Sequence, residues 1–230
     1  MKSKKYSDRE VLLLNEAKRL IETQGVMSFR FSELASVVKC SVGTLYSHFT
    51  NKEDLFLAIQ TQNLERHLLH FPSLFNCELT PAEIWLAITL LPFWHAKQTG
   101  LGTGVHVMAE LPSLLHRASS GRRQAFLNKL NSCCLGIDAL LKRAKAAGEL
   151  YSCSDEIALV RTSVVCIQRG AMALSDVEIC GNNPRLLDEH NFARCLFGCI
   201  NQLEWKRPLN SDSYAKVIKQ INRIVMIYDE

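Results

Sequence analysis

The sequence predicts an all-α protein: a small three-helix unit at the N-terminus, followed by a larger helical body. Three observations lead there. Apolar residues recur at helical spacing along most of the 230 residues. No segment alternates apolar and polar residues convincingly over five or more positions, so no strand pattern competes. Short helical segments with tight connections come first, and long ones come after. Hydrophobic residues make up 47% and charged residues 22% of the chain, an ordinary globular balance, and 11 Gly and 6 Pro exclude a fibrous chain.

In order along the chain, residues 8–24 place Leu13, Ala17, Leu20 and Gln24 on one helical stripe. Ser7 or Asp8 can cap its start, and Gly25 stands where a left-handed residue ends a helix. Residues 32–38 and 42–48 predict two short helices, the second capped by Ser41. A fourth begins at Asn51–Lys52–Glu53–Asp54, where Thr50 or Asn51 caps and two acids favour the positive helix end. It is expected to reach about His70 and to break at Phe71–Pro72–Ser73. Pro81 opens the next helix at its first position. Further helices fit 81–98, 104–117, 120–147, 154–178, 186–206 and 213–228, with Gly148 closing the long one and Gly181–Asn182–Asn183–Pro184 marking a turn. The expected division is a first domain over 1–52 and a second over 53–230, with the fourth helix, about 52–70, connecting them.

Charge is unevenly placed along the chain. Residues 1–52 carry nine Lys/Arg against five Asp/Glu, and the remainder is balanced, so the net +4 resides at the N-terminal end. A basic end on a neutral body points that end toward an anionic partner. The window Phe31–Phe56 gives the reason. A short helix with Leu34–Ala35 inward turns at Lys39–Cys40–Ser41 into Val42–Gly43–Thr44–Leu45–Tyr46–Ser47–His48–Phe49. This is the layout of a helix-turn-helix, whose second helix enters the major groove. Val38, Leu45 and Phe49 are expected to fill its core. Thr44, Ser47 and His48 are expected to face outward with Tyr46 at the margin, offering hydroxyl and imidazole groups to phosphates and base edges. Lys52, at a helix start, is expected to act on a phosphate together with the helix dipole. Lys2, Lys4 and Lys5 read first as a frayed tail and second as a basic arm along the DNA.

These residues resemble the DNA-binding domain of TetR-family transcriptional regulators. Leu13–Leu14, Ala17, Leu20–Ile21, Gly25 and Leu34–Ala35 fit the family pattern. So do Cys40–Ser41–Val42–Gly43–Thr44–Leu45–Tyr46–Ser47–His48–Phe49 and Lys52–Glu53–Asp54–Leu55. The chain departs from it at Glu16, where alanine is usual, at Lys39, where glycine often stands in the turn, and at Val42, where a polar residue often opens the reading helix. Val42 suits a thymine methyl instead. The resemblance implies DNA contacts from Ser41, Val42, Gly43, Thr44, Tyr46, Ser47, His48 and Lys52. It also implies a homodimer on an inverted-repeat DNA operator, repression as the usual outcome, and a small-molecule effector in the helical body. Trp85, Phe93, Trp94, His95, His106 and Met108 are the candidate lining of that effector site, against the plainer reading of helix core. Helices 154–178 and 186–206 are the expected dimerising pair.

Other functions find little support. Nine cysteines, an odd number at irregular spacing, fit small buried hydrophobes better than a disulfide framework. A thiol-based redox switch is the main rival reading, with Cys133–Cys134 and Cys195/Cys199 as its candidates. An all-α enzyme ranks last, for want of a nucleophile–base motif or phosphate loop. No cofactor and no metal are expected: His67 and His70 stand three apart, with no further ligand nearby in sequence. The charge-free run Ile84–Ala96 is too short to span a bilayer. No apolar signal region follows the N-terminus, so a cytoplasmic protein without a membrane partner is expected.

Overall fold

In a computed structural model, the chain is described over residues 2–99, 104–174 and 189–228. Eleven helices follow one another: α1 (Lys2–Gln24), α2 (Phe31–Val37), α3 (Val42–His48), α4 (Lys52–Phe75), α5 (Pro81–Thr99), α6 (Gly104–Ala109), α7 (Pro112–Arg117), α8 (Ser120–Ala146), α9 (Ser154–Leu174), α10 (Glu189–Ile200) and α11 (Ser213–Tyr228). The all-α class holds. The one strand-like feature among the described residues is an isolated antiparallel bridge between Leu150 and Trp205.

The chain forms two compact units. The first takes the chain up to Leu64 together with Ala96–Leu130, and the second takes Glu65–His95 and the chain from Asn131 onward. This differs from a cut at residue 52, because the start of α4, α6, α7 and the first part of α8 pack with α1–α3. Hydrogen bonds tie them: the Asn51 amide donates to the Arg117 carbonyl at 2.9 Å, and the Ser119 N–H donates to Asp54 at 2.7 Å.

The core of the first unit is apolar and closed. Leu13 and Ala17 of α1, Phe29, Leu34, Leu45, Phe49, Leu55 and Phe126 are fully buried. Truncating such a leucine to alanine costs roughly 2–5 kcal/mol. In the second unit, Trp85 packs edge-on against Trp205 with ring centroids 6.4 Å apart, and Phe93 lies 4.9 Å from Phe192. A reciprocal capping box opens α5: the Thr80 N–H donates to Glu83 and the Glu83 N–H donates to the Thr80 hydroxyl. The Ser213 hydroxyl also donates to Glu83, which ties α11 to that cap.

Several boundaries differ from the sequence expectation, each for a local reason. α1 starts at Lys2 rather than residue 8, so 2–7 is helical. α4 runs through Pro72 to Phe75 instead of breaking there; the proline withholds one N–H, from the carbonyl four residues back, and the Pro72 carbonyl still accepts the Asn76 N–H at 3.2 Å. The expected 104–117 helix is two, because Pro112 starts α7 and holds Leu111 extended at φ −67°, ψ 129°. The 186–206 helix stops at Ile200, since Trp205 bridges to Leu150. α9 is described as far as Leu174; the rest of the expected 154–178 helix, the start of 186–206 and the 181–184 turn lie outside the described residues.

Candidate nucleic-acid interface

The turn between α2 and α3 is built by backbone hydrogen bonds. The Cys40 N–H donates to the Ala35 carbonyl at 2.9 Å, and the Lys39 N–H to the Ser36 carbonyl at 3.2 Å. This pair of bonds is the Schellman ending of a helix, and it requires a left-handed residue at position 39. Lys39 sits there at φ +53°. Ser41 then caps α3: its side-chain oxygen accepts the Thr44 N–H at 3.0 Å and lies 2.8 Å from the Thr44 hydroxyl.

α3 turns Leu45 inward, with Phe49 just past its end, and both are fully buried. Ser41, Val42, Gly43, Tyr46 and Ser47 are exposed, and Thr44 is half-buried. Tyr46 leans its ring on Phe31, 5.4 Å between centroids, and leaves its edge in solvent. The sequence-predicted face is therefore assembled on one short helix, with two exceptions.

His48 does not face outward. Its side chain is 2% exposed. The ring stacks on Tyr6 at 3.9 Å and 19°, and Nδ1 lies 3.5 Å from a Glu10 carboxylate oxygen. In a seven-residue helix the last residue falls on the side that meets α1, so the imidazole packs inward. Lys52 is half-buried. Its ammonium donates to the Phe29 carbonyl and stands 5.9 Å from the Phe29 ring centroid. The expected free phosphate contact is thus partly committed to closing the loop before α2, with the remaining ammonium protons left over.

Residues that gave no signal in the sequence complete the site's frame. The Tyr6 hydroxyl donates to the Ser47 carbonyl at 2.8 Å. Arg122 of α8 donates to the His48 carbonyl at 3.3 Å, pairs with Glu10 at 2.8 Å, and lies 5.1 Å from the Phe49 ring. These partners are far apart in sequence, and neither belongs to a motif. At the start of α4, Asn51 accepts the Asp54 N–H at 2.8 Å, and Asp54 accepts the Thr50 N–H at 3.1 Å. The capping expected from Asn51 and the acids is present.

The six residues expected to line an effector site are divided between the two units. Trp85, Phe93, Trp94 and His95 are buried in the second unit. His106 belongs to the first, within 2.6 Å of the Gln60 amide, and Met108 borders a cleft there of about 280 Å³ with Phe56 and Leu114. Trp85 and Phe93 are core, by the ring contacts above. The structure brings His95 against His67 and His70, at ring-centroid distances of 5.1 and 5.4 Å, a meeting the sequence spacing did not show. Among the described residues no group of His, Cys, Asp or Glu is arranged to hold a metal ion.

The cysteines also differ from expectation. Of the eight described, only Cys199 is buried, and Cys134, Cys153, Cys166 and Cys195 are exposed. Cys180 lies outside the described residues.

A family model described as bacterial regulatory proteins of the tetR family matches residues 13–59, the segment that holds α2, the Lys39 turn and the capped α3. Over this segment, the helix-turn-helix, the chain is similar to the TetR family. Solved structures share the chain's fold. A TetR/AcrR-family regulator from Thermobifida fusca aligns with a TM-score of 0.61 at 16% identity, over 84% of this chain and 97% of the other. A TetR-family regulator from Agrobacterium tumefaciens gives 0.58 at 18% identity, over 86% and 98%. FadR from Bacillus subtilis, solved in complex with stearoyl-CoA, gives 0.56 at 16% identity, over 82% and 94%. At such identities the likeness concerns the fold. No curated protein matches the chain.

Proposed function

We propose that this chain is a homodimeric, effector-responsive repressor of the TetR family that reads an inverted-repeat operator in double-stranded DNA through α3. The observation that carries the reading is Gly43. Its backbone is not left-handed, and a Cβ built there would meet nothing closer than the Ser41 hydroxyl at 3.7 Å. The fold therefore does not need a glycine at the second position of α3, where alanine would restrict the unfolded chain more and favour the helix. Close approach of another molecule's backbone accounts for it. The proposed contacts are Ser41, Val42, Gly43, Thr44, Tyr46 and Ser47, with Lys52 adding phosphate attraction; His48 shapes the helix end rather than touching bases.

Dimerisation is proposed through α9 and α10. α9 is apolar enough by length and composition to cross a membrane, yet little of it is buried within the chain. Leu159 is 66% exposed and Val165 50%. A second copy covering this face accounts for both facts. A soluble cytoplasmic regulator without catalytic activity follows from the same reading. An effector in the helical body is supported by the stearoyl-CoA held by FadR, although its identity does not transfer.

The test is a gel shift on duplex DNA selected from a random pool by the wild-type chain. Gly43→Ala should keep or raise the melting temperature while weakening binding. Thr44→Ala and Tyr46→Phe should each weaken it by about 1–3 kcal/mol if the contact is specific, with helicity and dimer intact. Unchanged affinity in all three variants would overturn the assignment. The exposed cysteines favour one second reading, an oxidation-responsive regulator. Thiol counting before and after mild peroxide, alongside operator binding, separates the two.

A further inference from the structure

The last carbonyls of a helix have no partners within it, and α3 is too short to hold its own direction. In this chain the final two, Ser47 and His48, each accept a hydrogen bond from a side chain outside the helix-turn-helix. Tyr6 of α1 holds Ser47 at 2.8 Å, and Arg122 of α8 holds His48 at 3.3 Å. Arg122 reaches further. Its guanidinium pairs with Glu10 at 2.8 Å and stands over the Phe49 ring at 5.1 Å. Glu10 in turn faces the buried His48 imidazole at 3.5 Å, and Tyr6 stacks on that same ring. One arginine thus fixes the carbonyl end of α3, the residue after it, and the helix α1 that backs it. Arg122 lies in the first turn of α8, an unbroken helix from Ser120 to Ala146.

The geometry points to Arg122, with Tyr6 as its counterpart, as the positioning residue of the reading helix: it sets the pose of α3, and hence base discrimination, without touching DNA. The inference rests on the reading of α3 as the DNA-contacting helix and adds what governs that contact. The two side chains do different work. Tyr6 supplies one neutral donor from the neighbouring helix. Arg122 supplies a charged fork that bonds the carbonyl and the carboxylate at once, which a single ammonium cannot match in geometry. Because α8 carries the arginine, a displacement of its first turn would shift the end of α3 directly. A pose change of this kind acts on base-edge contacts, which need alignment. It acts less on the diffuse phosphate attraction that supplies non-specific binding.

The experiment uses the full chain and two duplexes: an operator selected by the wild type from random DNA, and an unrelated sequence. Affinities are measured at several salt concentrations for the wild type, Arg122→Met, Arg122→Lys and Tyr6→Phe. Methionine keeps a stem on Phe49 and removes the charge and donors. The expected result for Arg122→Met is a loss of roughly tenfold in the ratio of specific to non-specific affinity, about the effect of one mismatched base pair. The salt slope should not change, since no phosphate contact is lost. Arg122→Lys should recover part of the ratio, and Tyr6→Phe should lower it in the same sense. A lower melting temperature with an unchanged ratio would mean that Arg122 only stabilises the fold, and would overturn the proposal. A shallower salt slope in Arg122→Met would mean a direct phosphate contact, and would overturn it as well. If Arg122→Met fails to fold, Arg122→Lys and Tyr6→Phe decide by the same criteria. A wild-type chain that selects no sequence would remove the DNA-reading assignment itself. A selecting wild type with unaltered variants removes only the positioning role of Arg122.

Discussion

Lys39 shows what one residue can cost. The Schellman bonds at the end of α2 place it at φ +53°, where a side chain is strained. Lys39→Gly should therefore stabilise the chain by roughly 1 kcal/mol, net of glycine's greater freedom in the unfolded state. Thermal melting checks this, and a lower melting temperature would show that the turn tolerates lysine without strain. Two of the thiols give a second expectation at this scale. Burial pushes the Cys199 and Cys77 thiols up from their ordinary values, against smaller opposing hydrogen bonds. A raised pKa means less thiolate at neutral pH. Alkylation should therefore mark Cys134 and Cys153, which lie outside α9 and α10, well before Cys199 and Cys77, as mass spectrometry of a timed reaction would show.

Among the helices, α8 shows how packing reverses a propensity. Glycine inside a helix costs about 1 kcal/mol against alanine, so Gly136→Ala on propensity alone would stabilise. A Cβ at Gly136, however, would come within 2.6 Å of two ring atoms of Phe71, itself buried on α4. The overlap should outweigh the gain, and overpacking of this kind costs about 1–3 kcal/mol. Gly136→Ala should lower the melting temperature, and Phe71→Leu in the same chain should relieve much of the loss. The start of α9 offers a pH test. The Cys153 N–H donates to the Glu156 carboxylate at 2.7 Å, and that bond holds the carboxyl below its ordinary value. A depressed folded pKa means stabilisation that is present above the ordinary carboxylate value and lost as the pH falls below it. Glu156→Gln should accordingly lower the melting temperature at pH 7, and the difference from wild type should shrink in acid.

For the whole molecule, the decisive feature is apolar surface left uncovered on α9. Leu159 and Val165 stand exposed on a helix whose other face, Val160 and Val164, is buried. Leu159→Glu with Val165→Glu should leave the monomer fold intact, since neither side chain is buried in it, and should dissociate the proposed dimer. Light scattering at micromolar concentration checks this. Loss of operator binding should accompany dissociation, because two reading helices must engage two half-sites together. A double variant that remains dimeric would place the interface elsewhere.

The sequence by itself determined the helical class, the capped start of α3, the ends of α1 and α8 at Gly25 and Gly148, and the side of α3, with Val42, Thr44, Tyr46 and Ser47, that does not enter the core. All of these depend on residues within one or two helical turns of each other, where periodicity and capping chemistry act directly. Only the tertiary structure decided that His48 turns inward onto Tyr6, that Lys52 bonds the Phe29 carbonyl, and that Arg122 closes the end of α3. It also decided that α6, α7 and the start of α8 pack with the N-terminal helices, and that His95 meets His67 and His70. Each is a contact between segments distant in the chain, set by which helix faces pack together, and no local pattern records that choice. The continuation of α4 through Pro72 has the same character: a proline withholds one backbone hydrogen bond, and the packing of the surrounding turns rather than its identity settles whether the helix stops.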